Sequence, residues 1–91
     1  MGQALLVVKH PVENYDAWRA VYDSLEPLRQ EFGCTGQSVF QDPGNPNEVT
    51  VLHFWPSVEA AQGFAGSDGL KEGMGRAGVA GPPRIEIVTE A

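Results

Sequence analysis

The chain has 91 residues, of which 42% are apolar, 9% aromatic and 20% charged. That mix belongs to a single globular domain, here taken as residues 1–91, and not to a disordered or fibrous segment. Six basic residues against 12 acidic ones leave a net charge of −6, which argues against nucleic acid or an anionic membrane as a partner, since both need a basic face.

The longest apolar run, Ala4 to Val8, is too short to cross a bilayer, and no charged segment precedes a signal-like apolar stretch. The single cysteine, Cys34, can form neither an internal disulfide nor a zinc site alone, so a reducing cytoplasm is the expected location. A domain of this size buries only about 60–65% of its unfolded surface, and self-association would add to a thin core.

In chain order, Gln3 to His10 is a short, β-branched apolar run closed by Pro11, and reads as a strand. Asn14 offers a helix N-cap, with Asp16 in the first turn. Tyr15, Trp18, Val21, Tyr22, Leu25, Leu28 and Phe32 follow at helical spacing. Pro27 breaks that pattern and predicts a kink or restart near Glu26, while Gly33 predicts the stop. A second strand is expected over Thr35 to Gln41 and a third over Glu48 to Trp55. The turn-rich Asp42 to Asn47 segment predicts a hairpin with a long loop between them. Ser57 caps the next helix, which carries Ala60, Ala61 and Phe64. Ser67 caps a weaker one with Leu70, Met74 and Ala77, in which Gly69, Gly73 and Gly75 each cost about 1 kcal/mol relative to alanine. Arg84 to Thr89 is the last strand.

This order, β-α-β-β-α-β, predicts a ferredoxin-like α+β fold: an antiparallel sheet with strands one and three at its centre and the helices on one face. Strand one places Leu6 and Val8 on one side and Leu5 and Val7 on the other, and strand three is apolar on both sides as well. The helices cover only one face. The other predicts a homodimer whose two sheets pack into an α+β barrel.

These features resemble the dimeric α+β barrel superfamily, in particular its antibiotic-biosynthesis-monooxygenase-like domains. The most specific stretch is Val51 to Ala60, which is similar to the family pattern of an acidic residue, any residue, Trp, any residue, Ser, two further positions and Ala. His53 stands where that pattern has the acidic residue, and Trp55 matches its tryptophan. His10 to Trp18 and Leu70 to Val79 look like a subgroup of small proteins labelled cyclase or monooxygenase by similarity. Haem-degrading members carry an Asn on strand one and a His on the helix after the Trp. Both are missing here, so the resemblance does not imply haem degradation. It implies a cofactor-independent oxygenation, or a cyclisation or isomerisation, of an apolar aromatic or polyketide-like molecule.

His53 is the candidate for general acid/base work, because a histidine on a central strand must find polar partners. It is equally readable as a satisfied core histidine. His10 is a candidate ligand contact or a strand terminator, and antiparallel pairing puts it some 15–20 Å from His53, by about 3.3 Å per residue. Trp18, Tyr22, Trp55, Phe64 and Met74 either line an aromatic pocket or are packing. Arg29 and Arg76 read as surface residues or, less readily, as contacts for an anionic substrate, and Asp16, Arg19 and Asp23 as a solvated ion-pair face. No metal motif, nucleotide loop or flavin signature is present, which predicts no metal and no cofactor. A small-molecule enzyme, a non-catalytic binder and a structural dimerisation module all remain open. A cavity touching His53 and Trp55, of about 300 Å³ or more, separates the first two from the third.

Overall fold

A computed structural model describes residues 3–91. Strand β1 (Ala4–Pro11) is followed by helices α1 (Tyr15–Ser24) and α2 (Glu26–Glu31), then strands β2 (Gly36–Asp42) and β3 (Asn45–Trp55). Helices α3 (Val58–Ala65) and α4 (Asp68–Arg76) precede strand β4 (Arg84–Thr89). The strands form one antiparallel sheet in the order β2-β3-β1-β4, the ferredoxin-like arrangement with β1 and β3 at its centre.

Local chemistry sets the helix bounds. Asn14 is extended, and its Oδ1 accepts from the Ala17 N–H at 3.0 Å, satisfying a donor that the first turn of α1 leaves free. Pro27 cannot donate to a continuing helix, so α1 stops at Ser24 and α2 restarts at Glu26 with the proline in its first turn. Ser57 and Ser67 cap α3 and α4 through their Oγ atoms, at 3.2 Å from the Ala60 and Leu70 N–H groups. Gly33 and Gly78 adopt positive φ, 91° and 74°, where a side chain would be strained.

The β2–β3 link is shorter than the turn residues predict. Pro43 and Gly44 alone connect the strands, and Asp42 pairs with Asn45. The remaining turn formers are absorbed by a register shift next to Gln41, after which Gln41 pairs with Val49. Pro46 has no N–H to lose there, and Asn47 turns to the helices. Its Oδ1 accepts from the Tyr15 N–H at 3.1 Å and its carbonyl from the Val12 N–H at 2.8 Å.

Leu6, Val8, Val49, Val51 and Trp55 form the helix-facing side of the sheet and are buried against Trp18, Tyr22, Ala61 and Phe64. Helix α4 is held close by its glycines. Gly69 and Gly73 face the Leu28 and Leu25 side chains, and a Cβ on Gly73 would lie 2.5 Å from Leu25 Cδ1. On the opposite side of the sheet Leu5, Val7, Leu52 and Phe54 are only half-buried, while Phe40 and Val88 are 53% and 49% exposed. No helix among the described residues is long and apolar enough to cross a membrane.

Candidate functional site

Strand alternation decides which side chains meet under the helices. Leu6, Val8 and His10 on β1 and Val51, His53 and Trp55 on β3 point to the same side. Both histidines are therefore buried, each 4% exposed, in the layer between sheet and helices. The register pairs His53 with Leu6 and His10 with Val49, so they stand four residues apart along the strands. At about 3.3 Å per residue this is roughly 13 Å, closer than the sequence reading, and both line one cavity.

That cavity is about 40 Å³. Val8 and Val51, cross-strand partners, form its floor, and Leu70, Gly73, Met74 and Ala77 of the α4 region close it from above. Trp18, Tyr22 and Phe64 form its aromatic wall, and the half-exposed Ile85 sits at its rim. Six of the seven candidate ligand residues thus line one space: His10, Trp18, Tyr22, His53, Phe64 and Met74. Trp55 does not. It is fully buried behind the site, packed against Phe64 with ring centroids 5.0 Å apart and edge-on to His53 at 6.2 Å. The volume also falls well below the roughly 300 Å³ of a preformed drug-sized pocket.

Among the described residues, the Nε2 of His53 lies 2.9 Å from the Tyr22 hydroxyl and its Nδ1 has no partner. The two rings are nearly parallel, 7° apart. Burial, with the Arg29 cation second, pushes the His53 pKa down to about 4, so the imidazole is neutral at pH 7. A neutral imidazole carries one proton. With that proton on Nε2, Nδ1 is a free acceptor. With the phenol donating to Nε2 instead, Nδ1 is a free donor. Burial likewise pushes the Tyr22 hydroxyl up to about 12, against the lowering effect of Arg29. At the far end His10 lies edge-on to Trp18 at 5.7 Å, and neither of its ring nitrogens has a partner among the described residues.

Arg29 is the residue that sequence reading misplaces. It is 2% exposed, not at the surface. Its guanidinium lies 4.0 Å over the Tyr22 ring, Nη1 donates to the Tyr22 carbonyl at 2.8 Å, and Nη2 is 3.6 Å from the Glu26 carboxylate. The signal was in the spacing: Tyr22, Leu25, Arg29 and Phe32 follow one helical stripe across the Pro27 restart. Arg19 and Asp23 pair at the surface, 3.0 Å apart, as their spacing predicts. Cys34 is half-buried, with Sγ 3.2 Å from the Gly36 carbonyl oxygen. No cluster of three or more metal-ligating side chains occurs among the described residues.

The model of one family, antibiotic biosynthesis monooxygenase, matches residues 4–76. No individual curated protein matches the chain. Solved structures share the fold along nearly the whole length. A Bordetella bronchiseptica protein assigned to that family is 18% identical, with a TM-score of 0.85 over 100% of this chain and 99% of its own. A conserved protein of Methanosarcina mazei is 25% identical, with a TM-score of 0.81 over 100% and 95%. A variant of SnoaB, a cofactor-independent oxygenase of Streptomyces nogalater, is 12% identical, with a TM-score of 0.78 over 97% and 92%.

Proposed function

Because the chain belongs to the antibiotic biosynthesis monooxygenase family, we propose that it is a small-molecule enzyme acting, without a bound cofactor, on an apolar aromatic or polyketide-like ligand. The reaction class is oxygenation, or a cyclisation or isomerisation that begins with proton removal from the ligand. The SnoaB neighbour, a cofactor-independent oxygenase, supports the first of these. The observation that carries the reading is the Nδ1 of a buried, neutral His53, unpaired among the described residues, beside a mostly apolar cavity. In this reading Nδ1 accepts the ligand proton while Nε2 carries its own and donates to Tyr22. The low pKa makes His53 a weak base in the empty cavity. A ligand anion formed beside it offsets the burial penalty on the imidazolium, because opposite charges attract strongly in a poorly solvated site.

A ligand of two or more fused rings does not fit 40 Å³, so its entry requires outward movement of the glycine-rich α4, whose Met74 side chain is adaptable. The test is oxygen uptake and product formation with a panel of polycyclic phenols. Replacing His53 by alanine should lower turnover by about 10²–10⁴-fold, the usual contribution of a positioned acid/base group. Unchanged turnover removes His53 from the mechanism.

We also propose that the half-buried face of Leu5, Val7, Leu52 and Phe54 packs on the same face of a second copy, giving a homodimer. A second functional reading, a dimerisation module without a ligand, is favoured by the small volume of the cavity. Native mass spectrometry of the purified protein against a small-molecule library separates the two readings.

A further inference from the structure

We infer that the cavity selects a ligand that is polar at both ends of its long axis: an aromatic body with a hydroxyl or carbonyl at each end, one held by His53 and the other by His10. The inference deepens the ligand-binding reading above and rests on it. His10 has no role in that reading, yet it is 4% exposed, lines the same cavity, and has both ring nitrogens unpaired among the described residues. Buried polar side chains nearly always have partners, so a histidine unpaired among the described residues is suited to take one from a ligand.

The space between the two histidines is apolar. Val8 and Val51 lie on the floor midway, opposite each other in the register. The side wall is a run of rings from one histidine to the other. His10 meets Trp18 edge-on at 5.7 Å, Trp18 stacks on Tyr22 at 5.0 Å, and Tyr22 stacks along His53 at 5.9 Å. The side wall is mostly carbon, and its one hydroxyl, that of Tyr22, is shared with His53 Nε2. The two histidines stand at its two ends. The register sets the two histidines about 13 Å apart along the strands, measured on the backbone. That span suits substituents at opposite ends of a two-ring system. One polar end alone would leave His10 unpaired and its desolvation uncompensated.

The probes are naphthalene-2,6-diol and 2-naphthol, titrated calorimetrically into the wild-type protein, His10→Leu, His10→Gln and His53→Leu, each first checked for a cooperative thermal transition. The wild type should bind the diol about fivefold more tightly than the mono-ol, the worth of one neutral hydrogen bond. His10→Leu should remove that preference, so that the diol and the mono-ol bind it with equal affinity. His10→Gln, which keeps a donor and an acceptor, should retain part of it. Equal affinity of the wild type for both probes overturns the inference, as does a preference that survives in His10→Leu. A wild type that binds 2-naphthol through His53 but ignores the second hydroxyl overturns this inference alone. Binding of both probes that is indifferent to His53→Leu overturns the ligand-binding reading beneath it, and binding of neither overturns both.

Discussion

The Tyr22 hydroxyl and the Nε2 of His53, 2.9 Å apart, join helix α1 to the central strand β3 in the interior of the protein. Each group satisfies the other where solvent cannot. Replacing Tyr22 by phenylalanine removes the hydroxyl and leaves both nitrogens of the buried imidazole without a partner. The expected loss is about 1–2 kcal/mol, the cost of one unsatisfied buried group, read as a lower urea midpoint with an unchanged denaturant slope. A midpoint equal to that of the wild type would mean that the bond contributes nothing net.

Stability should fall with acid in a window set by His53. Its ordinary pKa is 6.5, and burial followed by the Arg29 charge brings it to about 4 in the fold. As pH falls below 6.5 the unfolded chain takes up a proton that the folded protein refuses. The stabilisation is therefore complete above about pH 6.5 and is lost progressively towards pH 4, by about 3 kcal/mol in all. Burial lowers the pKa of His10 too, which adds loss in the same direction. Urea midpoints across this window should drop for the wild type and drop less for His53→Leu. In Arg29→Met the imidazole resonances of His53 should titrate at higher pH, since a neighbouring cation is gone. No movement would place Arg29 outside its electrostatic environment.

The ferredoxin-like order, the caps at Asn14, Ser57 and Ser67, and the break at Pro27 were legible in the sequence, because each follows from local backbone chemistry. The β2–β3 link was not. Turn propensity marks Asp42 to Asn47 as irregular, but which of those residues turn and which bulge depends on Asn47 reaching the α1 terminus, 32 positions away from Tyr15 only along the chain. The site was half legible. Alternation puts His53 with Val51, and helical spacing puts Trp18 with Tyr22. The histidine separation needed the register, and the burial of Arg29 needed the aromatic face of Tyr22 as its cover. Trp55 matched a family pattern, which says that a tryptophan fits there and not which space it faces.

Two glycines of α4 should respond oppositely to alanine. Nothing lies within 4 Å of a Cβ on Gly75, so Gly75→Ala should stabilise the helix by about 1 kcal/mol and slow amide exchange in α4 about fivefold. A Cβ on Gly73 meets Leu25, so Gly73→Ala should destabilise by about 1–3 kcal/mol as the helix is pushed outward. If α4 must move for a ligand to enter, Gly75→Ala should also slow the binding of 2-naphthol in stopped flow. An unchanged rate would locate entry elsewhere.

Leu52 lies on a central strand and faces away from the helices, beside the half-buried Val7 with which it pairs. Leu52→Lys puts a charge in the middle of that face and should convert the proposed dimer into a monomer in sedimentation velocity, with the thermal transition of the fold retained. A wild-type protein that already sediments as a monomer at micromolar concentration ends the dimer proposal.

The position of β1 has a consequence for how the chain acquires its shape. Both of its neighbours follow it in the chain, β3 beginning at Asn45 and β4 at Arg84. Every hydrogen bond along its two edges closes a large loop, and such non-local pairing folds more slowly than local helical contacts. Until β3 and β4 arrive, Leu5 to Val8 is a bare β-forming segment with two open edges, which makes the nascent chain adhesive.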